Sequence, residues 1–214
     1  MLLGARQFFE RRGAPTPPLP YDAEVEYLES PADNDGNSIG CYIDLGVNST
    51  TDRFCNFDIR FRNIKSALAN PPFGYQYAAS ARYGIWGDST RSIGANNANS
   101  ATGYSYDTNW HTVSMRNGSH VDYDGVQTAI GTGTVRANIG LILFGIVTSS
   151  SGNSLRALVA AQISSFTLYN TDGEKIRDMI PVRKDGAGYM YDKVSGNLLG
   201  NGGTGDFVIG PDKL

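Results

Sequence analysis

Trp110-His111-Thr112-Val113-Ser114-Met115-Arg116-Asn117-Gly118, followed at once by His120-Val121-Asp122-Tyr123-Asp124-Gly125, is the stretch on which the fold class turns. Apolar Val113 and Met115 alternate with polar Ser114 and Arg116, the two-residue period of a strand with one buried face. Asn117-Gly118 then supplies the positive φ angles of a tight reversal, and a second short strand follows, closed by Asp124-Gly125. The segment predicts a β-hairpin with a tryptophan at its entrance.

The same period recurs on both sides of the hairpin. Val25 and Tyr27 alternate with Glu24 and Glu26, and Cys41 and Ile43 with Tyr42 and Asp44. Cys55, Phe57, Ile59 and Phe61 share one face of a strand whose other face carries Asn56, Asp58, Arg60 and Arg62. Ile139 to Val147 is apolar on both faces, as a central strand between two layers would be, and is too short for a membrane helix. Gln162 to Tyr169 alternates again, with Ile163 opposed in parity to Phe166 and Leu168, and Asn170-Thr171-Asp172-Gly173 predicts a turn. So many short strands predict an all-β, two-layer antiparallel β-sandwich.

Composition agrees. The chain has 214 residues, 26 of them glycine and only 18% charged, which favours turns and strands over amphipathic helices. A net charge of -3 lacks the basic signature of phosphate neutralisation, so nucleic acid is not an expected partner. The opening Met1 to Arg12 lacks the uninterrupted apolar core and cleavage site of a secretory signal, and no later segment approaches a membrane span. Synthesis in a cytoplasm is expected, with no membrane insertion. In that setting Cys41 and Cys55 read as buried thiols rather than a disulfide, and no cofactor or metal site is predicted from them.

Residues 1–20 differ from the rest. Leu2, Leu3, Phe8 and Phe9 sit among Arg6, Arg11 and Arg12, and Pro15-Thr16-Pro17-Pro18-Leu19-Pro20 forces an extended connector. This predicts an N-terminal arm and linker ahead of a single domain over 21–214. Phe8 and Phe9 are the expected anchors, with Arg6, Arg11 and Arg12 pairing with acidic groups of a partner. Between Ser80 and Asn109 the chain turns to Gly, Ser, Thr and Asn with interspersed aromatics. Sugars are held by aromatic faces and by planar amide and carboxylate groups, which makes Trp86, Asp88, Asn96, Asn97, Asn99, Tyr104 and Tyr106 the candidate glycan-binding residues. His111 reads as part of the hairpin packing. Asp122 and Asp124 could serve calcium but are explained adequately by a turn.

Six segments resemble a known group. The Trp110-His111 hairpin is similar to that of laminin G-like and concanavalin A-like lectin domains. Val25-Glu26-Tyr27-Leu28-Glu29-Ser30 and Cys41-Tyr42-Ile43-Asp44-Leu45-Gly46-Val47 resemble the opening "VEYLES...YIDTGV" of laminin G-like proteins common in phages and prophages of gut bacteria. Arg177-Asp178-Met179-Ile180-Pro181-Val182-Arg183, Gly188-Tyr189-Met190-Tyr191-Asp192 and Gly200-Asn201-Gly202-Gly203-Thr204-Gly205-Asp206-Phe207 resemble that group's terminal "RDLIPV...GYMYD...GNAGTGDF". The resemblance covers most of 21–212 and is weak over 63–108. It implies a concanavalin A-like jelly-roll displayed on a virion, as a structural, decoration or fibre protein.

Within that resemblance, sandwich glucanases carry a Glu-x-Asp-x-x-Glu strand, and retaining hydrolysis needs two carboxyls about 5 to 5.5 Å apart. Glu24, Glu26 and Glu29 match poorly: the central Asp is replaced, and Glu29 has the opposite parity unless a bulge intervenes. Arg177 to Pro181 reads as a strand end near an edge, where proline's missing donor does little harm, and Gly200 to Gly205 as a loop returning the last strand. The expectation is a non-enzymatic bacteriophage virion protein. Its expected partners are other virion proteins through the arm, a host-surface glycan, and further copies of itself, three by analogy with symmetric fibres. A bacterial glycan-binding lectin and a glycoside hydrolase are the rival readings.

Overall fold

The structure, a computed structural model, describes residues 18–31, 40–48, 54–62, 70–78, 81–87, 93–95, 107–116, 118–132, 139–148, 155–156 and 159–214. The arm residues Arg6, Phe8, Phe9, Arg11 and Arg12 lie outside the described residues. Among the described residues eighteen strands follow one another: β1 (Ala23–Glu24), β2 (Leu28–Ser30), β3 (Ile43–Asn48), β4 (Phe54–Phe61), β5 (Asn70–Ala78), β6 (Ala81–Gly87), β7 (Ile93–Ala95), β8 (Trp110–Arg116), β9 (His120–Tyr123), β10 (Val126–Ala129), β11 (Gly140–Leu143), β12 (Ile146–Thr148), β13 (Leu155–Arg156), β14 (Ala161–Tyr169), β15 (Lys175–Lys184), β16 (Ala187–Asp192), β17 (Asn197–Leu199) and β18 (Val208–Ile209). There is no helix among the described residues, and so none long and apolar enough to cross a membrane.

The first sheet runs β10-β9-β8-β4-β14-β15-β16-β17, with β1 beside β15 and β2 between β14 and β18. The second runs β13-β12-β5-β11-β3 and continues from β5 through β6 to β7. Pairing is antiparallel except for β12 against β5. Buried residues of the two sheets share one core: the ring of Phe73 on β5 lies 5.5 Å from that of Phe166 on β14. This all-β arrangement of antiparallel sheets is consistent with a β-sandwich.

β4 sits at the centre of the first sheet because its pattern suits both neighbours. Cys55, Ile59 and Phe61 are buried while Asn56, Asp58 and Arg60 face outward. The β8–β9 hairpin follows the same logic, with Val113, Met115, Val121 and Tyr123 all buried. Ser119 N–H donates to the Arg116 carbonyl across the first reversal, and Gly118 takes a φ of +70°. Asp124 and Gly125, at φ +51° and +84°, link Tyr123 to Val126 as a two-residue turn of the type that matches strand twist. Cys41 and Cys55 are free and buried, as expected.

Four expectations are corrected. Ile139 to Val147 is buried except at the partly exposed Gly140 but is not one strand: the chain reverses at Phe144, φ +66°, so that β11 runs antiparallel and β12 parallel along the same side of β5. Hydrogen bonds from Phe144 N–H to the Pro72 carbonyl and from Val159 N–H to the Phe144 carbonyl hold that corner, and the Phe144 ring packs 5.1 Å from Phe207. Ile163, Phe166 and Leu168 are all fully buried despite their opposite parity, because the register with β4 slips between Ile163 and Ser165. Val25 and Tyr27 do not extend one strand. β1 ends at Glu24 on β15, Val25 bridges Asp212, and the chain then joins β14 and β18 as β2. Pro181 lies inside the ten-residue β15, not at its end. It falls where the neighbour changes from β14, last paired at Met179, to β1, first paired at Val182, so its missing donor costs no ladder bond.

The glycine loop after β17 is placed as expected and shows why it is glycine-rich. Gly202 N–H donates to the Tyr42 carbonyl and Thr204 N–H to the Gly40 carbonyl. A side chain on Gly203 would collide with the Gly40 carbonyl oxygen, so only glycine allows this approach.

Candidate functional site

The outer face of the first sheet, where β4, β8 and β14 meet, carries the best-built site among the described residues. Antiparallel register places Asp58 opposite Thr112 on β8 and opposite Ser165 on β14. Both hydroxyls donate to its carboxylate: Thr112 Oγ1 to Oδ1 at 2.7 Å and Ser165 Oγ to Oδ2 at 2.9 Å. The slip in β14 leaves Ser164 unpaired next to Ser165 at this point. A groove of about 370 Å³ is lined by Asp58, Trp110, His111, Thr112, Asp124 and Ser164.

Trp110 forms one end of the groove. It is 40% exposed, unusual for so large an apolar side chain, and its ring leans on Tyr27 with centroids 6.1 Å apart. His111 also lines the groove. Its Nδ1 lies 2.7 Å from Asp124 Oδ2 and its Nε2 2.8 Å from Asp107 Oδ1, and its ring stacks on Tyr123 at 4.6 Å. A carboxylate can only accept, so engaging both nitrogens calls for the doubly protonated imidazolium. Burial pulls the His111 pKa down as the largest single influence, but Asp124 and Asp107 together outweigh it and the net shift is upward. Asp107 moves down, first through the Asn109 N–H it accepts and then through His111. Asp124 also accepts the Thr112 N–H at 2.9 Å, which ties the β9–β10 turn to β8.

The other candidates are used differently. Glu24 accepts the Tyr21 hydroxyl, whereas Glu29 accepts from Gln162 at 2.6 Å and pairs with Arg62 at 3.4 Å. Glu24 and Glu29 thus stand on separate strands with different partners, not on one glucanase-like strand. Asp122 accepts the Gly125 N–H, as a turn residue does. Burial pushes the Cys41 thiol up to about 11 and the Cys55 thiol up to about 12, the reverse of an activated nucleophile. A larger cleft of about 600 Å³ lies over the glycine loop, but the Asn201 side chain in it is fully engaged in holding the chain. Its Oδ1 accepts from Tyr42 N–H and Gly203 N–H, and its Nδ2 donates to the Gly205 carbonyl.

Of the glycan residues expected from sequence, Trp86 lies on β6 of the second sheet, paired with Gly94, away from the sheet that bears the groove. Asp88, Asn96, Asn97, Asn99, Tyr104 and Tyr106 lie outside the described residues. Sequence reading singled out Trp110 and His111 for the fold but not as a binding surface, and missed Asp58, Thr112 and Ser164. The available signal was the outward parity of Asp58 on β4. What it lacked was the pairing that sets Asp58 beside Thr112.

Compared with known proteins, the chain matches no family model and no curated protein sequence.

Proposed function

We propose that this chain is a non-enzymatic, glycan-binding protein of a bacteriophage particle, a concanavalin A-like jelly-roll of the laminin G-like kind, and that the groove beside Trp110 holds the sugar. The observation that carries the glycan reading is the exposed Trp110 ring braced by Tyr27 next to the hydroxyl-supported carboxylate of Asp58. An apolar ring face beside fixed acceptors is what a pyranose needs: the ring stacks on C–H groups and the oxygens orient the hydroxyls. Both oxygens of Asp58 accept hydroxyl bonds and both nitrogens of His111 are engaged, which suits positioning better than proton transfer. The virion reading is supported by sequence: the arm with Phe8, Phe9, Arg6, Arg11 and Arg12, and the phage-like runs at 25–30, 41–47 and 177–207.

The test is a glycan array probed with the full chain, its Trp110→Ala variant and a 21–214 fragment, together with particle incorporation of the fragment. Sugar binding lost in Trp110→Ala supports the groove. Loss of incorporation without residues 1–20 supports the arm, and light scattering of assembled protein checks the proposed trimer. Normal incorporation of the fragment overturns the anchoring role, and sugar binding that ignores Trp110 overturns the groove.

A further inference from the structure

Around Asp58 the groove's polar groups lean toward acceptors, with the Ser164 hydroxyl and the Trp110 indole N–H as the donors of the lining, and this narrows the ligand. Thr112 and Ser165 direct their protons at Asp58, so their oxygens, like those of the carboxylate, are left to accept. His111 directs both of its protons at Asp124 and Asp107. Among the described residues no Lys, Arg or His lies within ion-pair distance of Asp58, although it is only half-exposed; the nearby Arg60 turns its Nε to the Thr108 carbonyl at 2.8 Å. The groove's lining holds the carboxylates of Asp58 and Asp124 and one ionisable cation, His111, with Arg60 paired across from Trp110 beside it. The Trp110 face adds a surface that attracts cations as well as C–H groups.

Resting on the glycan reading above, we infer that the sugar held here carries a free amine, so that an ammonium group sits over Asp58 while the hexose ring lies on Trp110. An ammonium has three donors and no acceptor, the complement of an acceptor-rich floor, and its charge is compensated by the one carboxylate that has no cation of its own. An N-acetyl group removes that charge, and a uronate adds a carboxylate facing Asp58 and Asp124. Both are disfavoured.

The experiment is calorimetric titration of the full chain with a fully deacetylated glucosamine tetrasaccharide, its N-acetylated counterpart and a galacturonate tetrasaccharide, in mildly acidic buffer at two salt concentrations. The expected result is a preference of about tenfold or more for the deacetylated sugar, weakened by salt, as a charge-assisted contact requires. Asp58→Asn should erase most of the preference, and Trp110→Ala the binding itself. The wild-type sugar comparison and its salt dependence stand even if Asp58→Asn does not fold. Trp110-dependent binding in which the acetylated sugar equals or exceeds the deacetylated one overturns this inference and leaves the glycan reading intact. Absence of Trp110-dependent binding to any oligosaccharide overturns both.

Discussion

Asp192 and Asp58 are both aspartates on the first sheet, and their surroundings separate a carboxylate that holds the fold from one that is offered to a ligand. Asp192, at the end of β16, is fully buried and accepts from Asp178 N–H, Val194 N–H and the Ser195 hydroxyl, with Arg177 Nη1 3.6 Å away. Both oxygens accept from internal donors and the charge has a cation. Asp58, at the centre of the same sheet, has two hydroxyls and no cation, and opens on a groove. Burying a carboxylate is tolerable only when it is paired and fully hydrogen-bonded, so completeness marks the structural site and incompleteness the candidate functional one.

The largest effect is expected at the complete site. Asp192→Ala leaves the Asp178 and Val194 N–H groups without their acceptor and the Arg177 guanidinium without its counter-charge, and should cost on the order of 3 kcal/mol. Chemical denaturation measures it, and a loss below about 1 kcal/mol would break the contrast with Asp58. Gly203→Ala comes next. The added methyl meets the Gly40 carbonyl, and the strain should cost about 2 kcal/mol, read as a lower thermal midpoint with sugar binding unchanged.

His111 lies between the two cases, since its partners Asp107 and Asp124 are 51% and 47% exposed and solvent weakens their pull. Its pKa is raised in the folded chain, so its contribution is fully present below its ordinary value of 6.5 and disappears as pH rises through the higher folded value. His111→Gln should therefore lie about 1 kcal/mol below wild type in acid and converge with it in alkali. A gap that widens with pH would contradict the imidazolium clamp. The smallest stability effect is expected at Trp110. Its exposed ring supports little of the core, so Trp110→Ala should change unfolding free energy by no more than about 0.5 kcal/mol while abolishing sugar binding. A large destabilisation would move Trp110 from the binding surface to the scaffold.

Much of the sheet structure was legible because strand alternation is a local property: Cys55, Ile59 and Phe61 against Asp58 and Arg60, or Val113 and Met115 against Ser114, need no partner to be read. The turns at Asp124-Gly125 and Asn170 to Gly173 were legible for the same reason. Misreadings occurred where a distant segment overrides local pattern. The reversal at Phe144 depends on carbonyls and donors from Pro72 and Val159, and the burial of Ile163 beside Phe166 depends on a slip against β4.

Taken alone, the sequence determined that the chain is built of strands, that its cysteines sit on apolar faces, and that a tryptophan opens the central hairpin. Only tertiary structure decided where chemistry gathers. Thr112 and Ser165 lie 54 and 107 positions from Asp58 along the chain, and antiparallel register alone sets them beside it. Side-chain type and period are written residue by residue. A site built across three strands exists only once the sheet has chosen its order, because hydrogen-bonded pairing, not sequence proximity, fixes which groups share a face.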